Sequence, residues 1–196
     1  SKSSKKGEKS ISLEIYKTGL RMKQMNILVG CEESQAITGQ CVELGHNAFS
    51  CDIQECSGLL PERHLQMDVF DAIDLQKCDL IILHPPCTAL AVSGNRWYGT
   101  GQPMHQKRIY AVKWTQKLWD KAISVCDRVA LENPVRVLNK MGNFPKPQYI
   151  QPWQFGHGET KKTGFWLHGL NALKPTNIVE GRKQRMRKLP PSPDRA

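Results

Sequence analysis

In two short segments, an apolar run typical of a buried strand is followed directly by reactive side chains. The first is Asp79–Leu90, where an apolar run over 80–83 precedes His84-Pro85-Pro86-Cys87. The two prolines have no amide hydrogen, so they end the strand and hold the following residues stiffly. A thiol on such a loop is a candidate nucleophile. A core cysteine beside an ordinary turn is the alternative.

The second segment places a carboxyl group at the end of another strand. Val129–Leu131 predicts a buried strand, and Glu132-Asn133-Pro134 follows it. A thiolate and a carboxyl group suit one reaction at a pyrimidine ring. The thiolate attacks C6, C5 then takes a methyl group from a sulfonium donor, and Glu132 holds N3 and the exocyclic amine. A base in a duplex must first be flipped out of the stack to reach the thiol.

Alternating strands and helices predict how these side chains come together. This alternation indicates an α/β fold with a doubly wound, mostly parallel sheet, whose strands end at one ligand-binding edge. The polar, glycine-containing loop between Cys87 and His105 has the composition of a mobile lid. Strands are predicted over 26–29, 47–51, 64–67, 79–84, 129–131, 162–167 and 178–179, and helices over 36–44 and 110–126.

The first strand–helix–strand unit has the features of a nucleotide-binding site. It runs from Gly30, which ends the first strand, to Asp52 at the end of the second. A carboxylate there can accept hydrogen bonds from a ribose. Asp68 ends the third strand. One acid at a strand end often only caps the next helix, but Asp52, Asp68, Cys87 and Glu132 at one edge favour a functional site.

In this order, the motifs resemble the cytosine-5 DNA methyltransferases, especially their short phage-type members, over roughly residues 26–179. His84-Pro85-Pro86-Cys87 resembles the Pro-Cys nucleophile motif, and Leu131-Glu132-Asn133-Pro134 resembles the Glu-Asn motif. Gln151-Pro152-Trp153-Gln154-Phe155-Gly156, followed by Lys161-Lys162-Thr163, resembles the phage-type motif that supports the flipped base. The resemblance implies the Rossmann-like fold of class I S-adenosylmethionine-dependent methyltransferases, and methyl transfer to C5 of cytosine in DNA.

The resemblance also implies a role for individual residues. Cys87 and Glu132 would be catalytic, S-adenosylmethionine would be the cofactor, and no metal would be needed. Asp52 would bind the ribose and Asp68 would lie near the adenine. The cofactor-binding set would be Gly30, Glu32, Asp52, Ile53, Asp68, Val69 and Pro85, and the substrate-binding set would be Pro86, Asn133, Gln151, Gln154, Lys161 and Lys162.

Three features depart from the family pattern. The first glycine motif, usually Gly-x-Gly, is here Gly30-Cys31-Glu32. Arginines of the supporting motif are absent, and Lys161 or Lys162 takes their place. The sequence after this motif is short, so we expect a partner protein to supply target recognition.

Two other functions remain compatible with the sequence. Amino-methyltransferases that act on DNA bases use an Asp/Asn-Pro-Pro-aromatic motif at the same strand end, and His84-Pro85-Pro86-Cys87 shares its two prolines. A catalytically inactive, nucleic-acid-binding protein on the same scaffold is the second alternative. Labelling of the base after incubation with S-adenosylmethionine distinguishes these functions.

The charge of the chain is concentrated at its ends. Of the net charge of +10, residues 1–24 carry +5, residues 180–196 carry +4 and the intervening sequence carries +1. We therefore expect one methyltransferase-like domain over 25–179 between two basic tails, the first of them disordered or added sequence, which attract polyanions such as DNA. No apolar run approaches the roughly 18 residues of a membrane span. Seven cysteines without a CxxC pair favour a reducing cytoplasm, that of the host cell if the gene is phage-encoded.

Overall fold

The computed structural model describes residues 23–181. The sequence also predicts a short helix over 11–22, which lies outside the described residues, as do nearly all of both basic tails. Strands are β1 (Asn26–Gly30), β2 (Asn47–Asp52), β3 (His64–Gln66), β4 (Leu80–Leu83), β5 (Val129–Pro134), β6 (Gln148–Ile150) and β7 (Thr163–His168). Helices are α1 (Ala36–Glu43), α2 (Val69–Leu75), α3 (Asn95–Tyr98), α4 (His105–Val125) and α5 (Val137–Met141), with single 3₁₀ turns at Pro61–Arg63, Val92–Gly94 and Pro152–Gln154.

All of the described strands form one sheet in the order β3-β2-β1-β4-β5-β7-β6. β7 runs antiparallel to both β5 and β6, and the other pairs are parallel. The predicted doubly wound, mostly parallel sheet is confirmed. The strand order reverses between β1 and β4, which is the point where such sheets leave a crevice for a ligand.

The apolar side chains of the strands point alternately into two core layers, one on each face of the sheet. Leu28 of β1 and Leu83 of β4 face the larger cluster, together with Leu118 of α4 and Trp166 of β7. On the opposite face, Ile27, Val29 and Ala48 form a smaller cluster. Because successive side chains of a strand point to opposite faces, continuous apolar runs fill both layers.

Helix α4 buries most of the predicted face but not its first residue. The sequence predicts a buried face with four-residue spacing, made of Tyr110, Trp114, Leu118, Ala122 and Cys126. Leu118, Ala122 and Cys126 are buried, but Tyr110 is 69% exposed. Steps of four residues drift by about 40° each around a helix of 3.6 residues per turn, so they leave one face within a few steps. The buried residues of the helix follow a mixed spacing, which keeps Leu118 and Ala122 of the predicted set and adds four others: Arg108, Val112, Thr115 and Trp119.

Other local predictions are corrected by the structure. Ile178–Val179 is not a strand; this part of the chain forms an isolated bridge between Phe155 and Asn177. Strand β6 was not predicted, because three residues of mixed polarity carry no clear pattern. The sequence also predicts Ser34 as the cap of α1, but Gln35 occupies that position and its side chain makes no capping hydrogen bond. Within residues 23–181, no helix is long and apolar enough to cross a membrane.

Gly30 is required by the packing of its neighbours. A Cβ atom there would lie 2.6 Å from Val69 Cγ2 and 2.9 Å from Leu83 Cδ2. We expect Gly30→Ala to lower the free energy of unfolding by about 1–3 kcal/mol, the usual cost of overpacking a core. Gly39→Ala in α1 is the control, because nothing lies within 4 Å of its Cβ position.

Urea denaturation of the two variants checks this prediction. Gly39→Ala should raise the free energy of unfolding by about 0.5–1 kcal/mol, because it restricts the unfolded chain at a helical position. Equal stability of Gly30→Ala and the parent protein would contradict the packing argument.

Candidate active site at the carboxyl edge of the sheet

The register of the parallel strands brings the reactive segments to one edge. Gly30 is paired with Leu83, and Leu83 is paired with Leu131. The next residues of β4 and β5, His84 and Glu132, are therefore neighbours. The amide of His84 continues the ladder by donating to the carbonyl of Gly30 at 3.0 Å. The Pro-Pro-Cys segment thus leaves the sheet directly beside the end of β1, at the switch point.

Asn133 ties the Glu-Asn segment to the Pro-Cys segment. Its side chain is fully buried, and its Nδ2 donates to the carbonyl of Pro85 at 2.8 Å. Pro85 is itself buried, whereas Pro86 is exposed. Oδ1 of Asn133 is buried and has no hydrogen-bond partner among the described residues. Asn133 therefore acts as a brace for the loop that carries the thiol, a role that its motif did not reveal.

Cys87 is half-buried at the start of the loop that follows β4. Burial raises the pKa of its thiol, the nearby Lys161 ammonium lowers the pKa, and Glu132 raises it. Lys161 and Glu132 are thus close enough to act electrostatically on Cys87. The structure brings together the predicted nucleophile, the predicted carboxyl group and one cation.

Glu132 faces a histidine that the sequence did not single out. Its Oε2 lies 3.8 Å from Nδ1 of His84, and the two side chains are 24% and 25% exposed. Nε2 of His84 is buried without a hydrogen-bond partner in the described part of the chain. His84 could have been found from the sequence, because it is a titratable residue at the end of a buried strand.

The predicted base-supporting residues divide into two groups. The Lys161 ammonium lowers the pKa of the Cys87 thiol, whereas the ammonium of Lys162 lies 4.5 Å from the ring centre of Tyr149. Oε1 of Gln154 accepts a hydrogen bond of 2.7 Å from the amide of Gln151. Lys161 therefore acts on the thiol electrostatically, whereas the Gln154 side chain stabilises the turn after β6.

Asp52 and Ile53 lie across the switch point from the thiol. Oδ1 of Asp52 accepts a hydrogen bond of 3.0 Å from the amide of Gln54, which fixes the turn after β2. The next side chain, Ile53, is 74% exposed. A half-buried carboxylate followed by an exposed apolar side chain suits a ribose and an adjoining aromatic base.

Asp68 and Val69 serve the start of α2. Oδ1 of Asp68 accepts a hydrogen bond of 2.8 Å from the amide of Phe70 and caps the helix. Val69 is buried against Gly30. The capping role that is common for an acid at a strand end is present here, and the assignment of Asp68 to the adenine stays a prediction.

Glu32 occupies the N-terminus of α1. Its buried carboxylate accepts hydrogen bonds from the amides of Ile37 and Thr38 at 2.5 and 3.2 Å, and from Oγ1 of Thr38 at 2.6 Å. These are the amides that a phosphate group would need at this helix end. The side chain of Glu32 is therefore committed to the helix, and its main-chain amide donates to the carbonyl of Cys51 at 3.0 Å.

Cys31 occupies the middle position of the Gly30-Cys31-Glu32 segment and adopts a left-handed conformation, with φ of 61°. Burial raises the pKa of its thiol to about 12, and Asp52, Cys51 and Asp68 raise it as well. The two acids thus converge on the turn after β1. The Cys31 thiol is protonated at neutral pH, so it contributes no charge to this half of the site.

Known proteins resemble this chain in structure, whereas comparisons of sequence assign it to no family. No protein-family model matches the chain, and no curated protein sequence is significantly similar to it. Among solved structures, the Entamoeba histolytica methyltransferase EhMeth is similar with a TM-score of 0.51 and 15% identity, over 81% of this chain and 58% of that chain. The S. pombe Dnmt2 methyltransferase gives a TM-score of 0.46 and 12% identity, over 77% of this chain and 52% of that chain.

The chain therefore spans little more than half the length of these methyltransferases. The sheet order and the likeness to EhMeth identify the fold as the Rossmann-like fold of class I S-adenosylmethionine-dependent methyltransferases. The fold class predicted from the sequence is confirmed.

Proposed function

We propose that the protein transfers a methyl group from S-adenosylmethionine to C5 of cytosine in DNA, through a covalent bond between Cys87 and C6 of the base. The observation that carries this proposal is the division of groups around the switch point. Asp52 and Ile53 lie on one side, and Cys87, Glu132 and Lys161 lie on the other. This is the arrangement needed for a nucleoside-containing methyl donor beside a nucleophile.

The residues at the β4 and β5 ends supply the steps at the base. The Cys87 thiolate forms a bond to C6, while Glu132 stabilises the charge that develops at N3 and the exocyclic amine. S-adenosylmethionine, when bound, supplies the electrophilic methyl group that C5 accepts. The C5 proton then passes to a water molecule, and the electron pair of the C–H bond forms the C5=C6 bond and expels the sulfur from C6, which restores both the thiolate and the aromatic ring. Lys161 favours the thiolate at both ends of this sequence.

The cofactor half fits a nucleoside donor without phosphates. Because the Glu32 carboxylate takes the amides of Ile37 and Thr38 in the first turn of α1, a pyrophosphate would meet negative charge where it needs hydrogen-bond donors. S-adenosylmethionine has no phosphate and carries a positive sulfonium centre, so it avoids this conflict. We therefore assign the ribose to Asp52 and the adenine to the side chain of Ile53, with Asp68 nearby.

DNA is the proposed substrate, and a partner protein is proposed to supply target recognition. The two basic ends of the chain carry +9 of the net charge of +10, and they would bind phosphates without reading sequence. Methylation by the chain alone should then spread over many sequence contexts. Bisulfite sequencing of the product measures this spread.

Location of the label on the nucleobase tests the proposed function. The chain is incubated with methyl-labelled S-adenosylmethionine and with DNA or RNA of the same sequence. Label at C5 of cytosine in DNA is expected. Label on an exocyclic amine would favour the amino-methyltransferase alternative. Label in RNA alone would mean that the substrate is RNA and not DNA. Cofactor binding without transfer to either would favour the inactive scaffold.

Asp52 is expected to contribute to cofactor affinity through hydrogen bonds to the ribose. Asp52→Ala should weaken binding of S-adenosylmethionine by about 1.5–3 kcal/mol, the usual size for hydrogen bonds to a charged group. Glu55→Ala is the control, because Glu55 is an exposed acid in the same turn. Calorimetric titration of the two variants checks this assignment, and equal affinity of Asp52→Ala and the parent would remove it.

A further inference from the structure

The segment that follows Cys87 is folded against helix α4. The amides of Leu90 and Ala91 donate to the carbonyl of Cys87 at 2.9 and 3.0 Å, so a turn begins at the nucleophile itself. Leu90, Ala91 and Tyr98 are buried. The segment continues through a 3₁₀ turn and α3. Its glycine content predicted a mobile lid, but the structure shows a packed element.

Arg108 of α4 holds this segment with all three nitrogens of its guanidinium group. Nε donates to the carbonyl of Ala89 at 2.6 Å, Nη2 donates to the carbonyl of Ala91 at 2.9 Å, and Nη1 donates to Oδ1 of Asn95 at 2.6 Å. Cζ of Arg108 also lies 6.0 Å from the ring centre of Tyr98. Every one of these partners belongs to the ten residues 89–98.

The guanidinium is buried without a carboxylate partner. Arg108 is 5% exposed, and within residues 23–181 no acid forms an ion pair with it. Burial lowers its pKa, because the charged form has lost its water. A buried charge is tolerated only when its donors are satisfied. Displacement of the segment 89–98 would remove the oxygen atoms that accept hydrogen bonds from the buried guanidinium. The position of the segment and the burial of Arg108 therefore depend on each other.

The thiol therefore lies in a short span that is tied at both ends. On one side, Asn133 binds the carbonyl of Pro85, two residues before Cys87. On the other side, Arg108 binds the carbonyl of Ala89, two residues after it. Both tying side chains are buried. Five residues fixed in this way have little freedom to move the sulfur atom.

We propose that Arg108 is a positioning residue that fixes Cys87 for attack by clamping the segment 89–98 onto α4. The inference rests on the proposed function, because it takes Cys87 as the nucleophile. Arg108 itself touches neither substrate nor cofactor. Its planar fork serves three acceptors at once, which a lysine ammonium on a flexible stem does not reproduce.

The test compares Arg108→Met and Arg108→Lys with Lys113→Met, an exposed position on the same helix. Hydrogen exchange of peptides from 88–98 reports the clamp without any catalytic step. We expect exchange there to rise at least about tenfold in Arg108→Met, with only partial recovery in Arg108→Lys, while β1 and β5 keep their protection. Lys113→Met should leave all peptides unchanged. Unchanged exchange at 88–98 in Arg108→Met would overturn the proposal.

Turnover separates positioning from simple stability. Small misplacement of a reacting group costs on the order of 10²-fold, so kcat should fall by about tenfold to a hundredfold in Arg108→Met. KM for DNA and affinity for S-adenosylmethionine should change by less than about twofold. Increased exchange with a normal kcat would also overturn the proposal, because the segment would then be free to move without consequence.

A second variant covers the case in which Arg108→Met does not fold. Asn95→Ala removes one acceptor of the clamp at an exposed position, and a severalfold rise in exchange at 88–98 is expected. No change would count against the clamp. If the parent transfers no methyl group, the proposed function fails, and exchange together with the alkylation rate of Cys87 still decides the inference.

Discussion

Cys87→Ala is expected to abolish methyl transfer and to leave the affinity for S-adenosylmethionine nearly unchanged. The thiol attacks the base and does not hold the donor, so its loss affects the chemical step alone. Removal of a covalent nucleophile costs on the order of 10⁴-fold or more in kcat. Cys56→Ala, at another half-buried cysteine, is the matched control and should retain full activity. Single-turnover assays and calorimetric titration give the two quantities.

A mechanism-based trap checks the same assignment directly. DNA that contains 5-fluorocytosine should form a stable covalent adduct with the parent protein, since fluorine blocks the final loss of the C5 proton. Cys87→Ala should form no adduct, and peptide mapping should locate the adduct of the parent at Cys87. Retained turnover in Cys87→Ala would contradict the covalent mechanism and favour direct methylation of an amine.

The reactivity of Cys87 should depend on pH in a defined direction. Burial raises the pKa of the thiol, while Lys161 lowers it and Glu132 raises it. The thiolate is the reactive form, so alkylation of Cys87 in the free protein should become fast only at a higher pH than for an ordinary cysteine. Lys161→Gln removes a lowering influence, so it should shift this profile further upward.

The sequence predicted the elements that have strong local patterns. Apolar runs bounded by proline, glycine or acids located β1, β2, β4 and β5. Parallel strands must end at one edge, so the positions of Asp52, Cys87 and Glu132 followed from those strands. This reasoning needs no knowledge of side-chain contacts, which is why it succeeded for the overall arrangement of the site.

Contacts between segments distant in sequence were beyond this reasoning. Gly30 was interpreted through its motif, but its small size is required by Val69 and Leu83. The clamp by Arg108 and the brace by Asn133 join residues that are 19 and 48 positions apart. An arginine on the buried face of a helix was the one local signal, and the four-residue spacing that begins at Tyr110 did not include it.

Glu132→Gln is expected to lower the rate of the chemical step by on the order of 10²-fold or more, as for removal of one stabilising group in other active sites. The substitution preserves shape, but it changes the hydrogen bonding and proton donation toward N3 of the base. The Glu132 side chain is 24% exposed and lies 3.8 Å from His84, so both groups face the same small region. Affinity for S-adenosylmethionine should be little affected, because the cofactor residues lie across the switch point.

The matched control is Glu43→Gln, an exposed acid on α1 that should turn over normally. Rapid-quench measurement of one turnover, at saturating DNA and cofactor, isolates the step at issue. A normal rate in Glu132→Gln would mean that the carboxyl group serves only the end of β5. A loss confined to KM would instead assign Glu132 to ground-state binding of the base. The expected result, a loss in kcat with binding retained, requires that Glu132 acts where charge develops in the transition state.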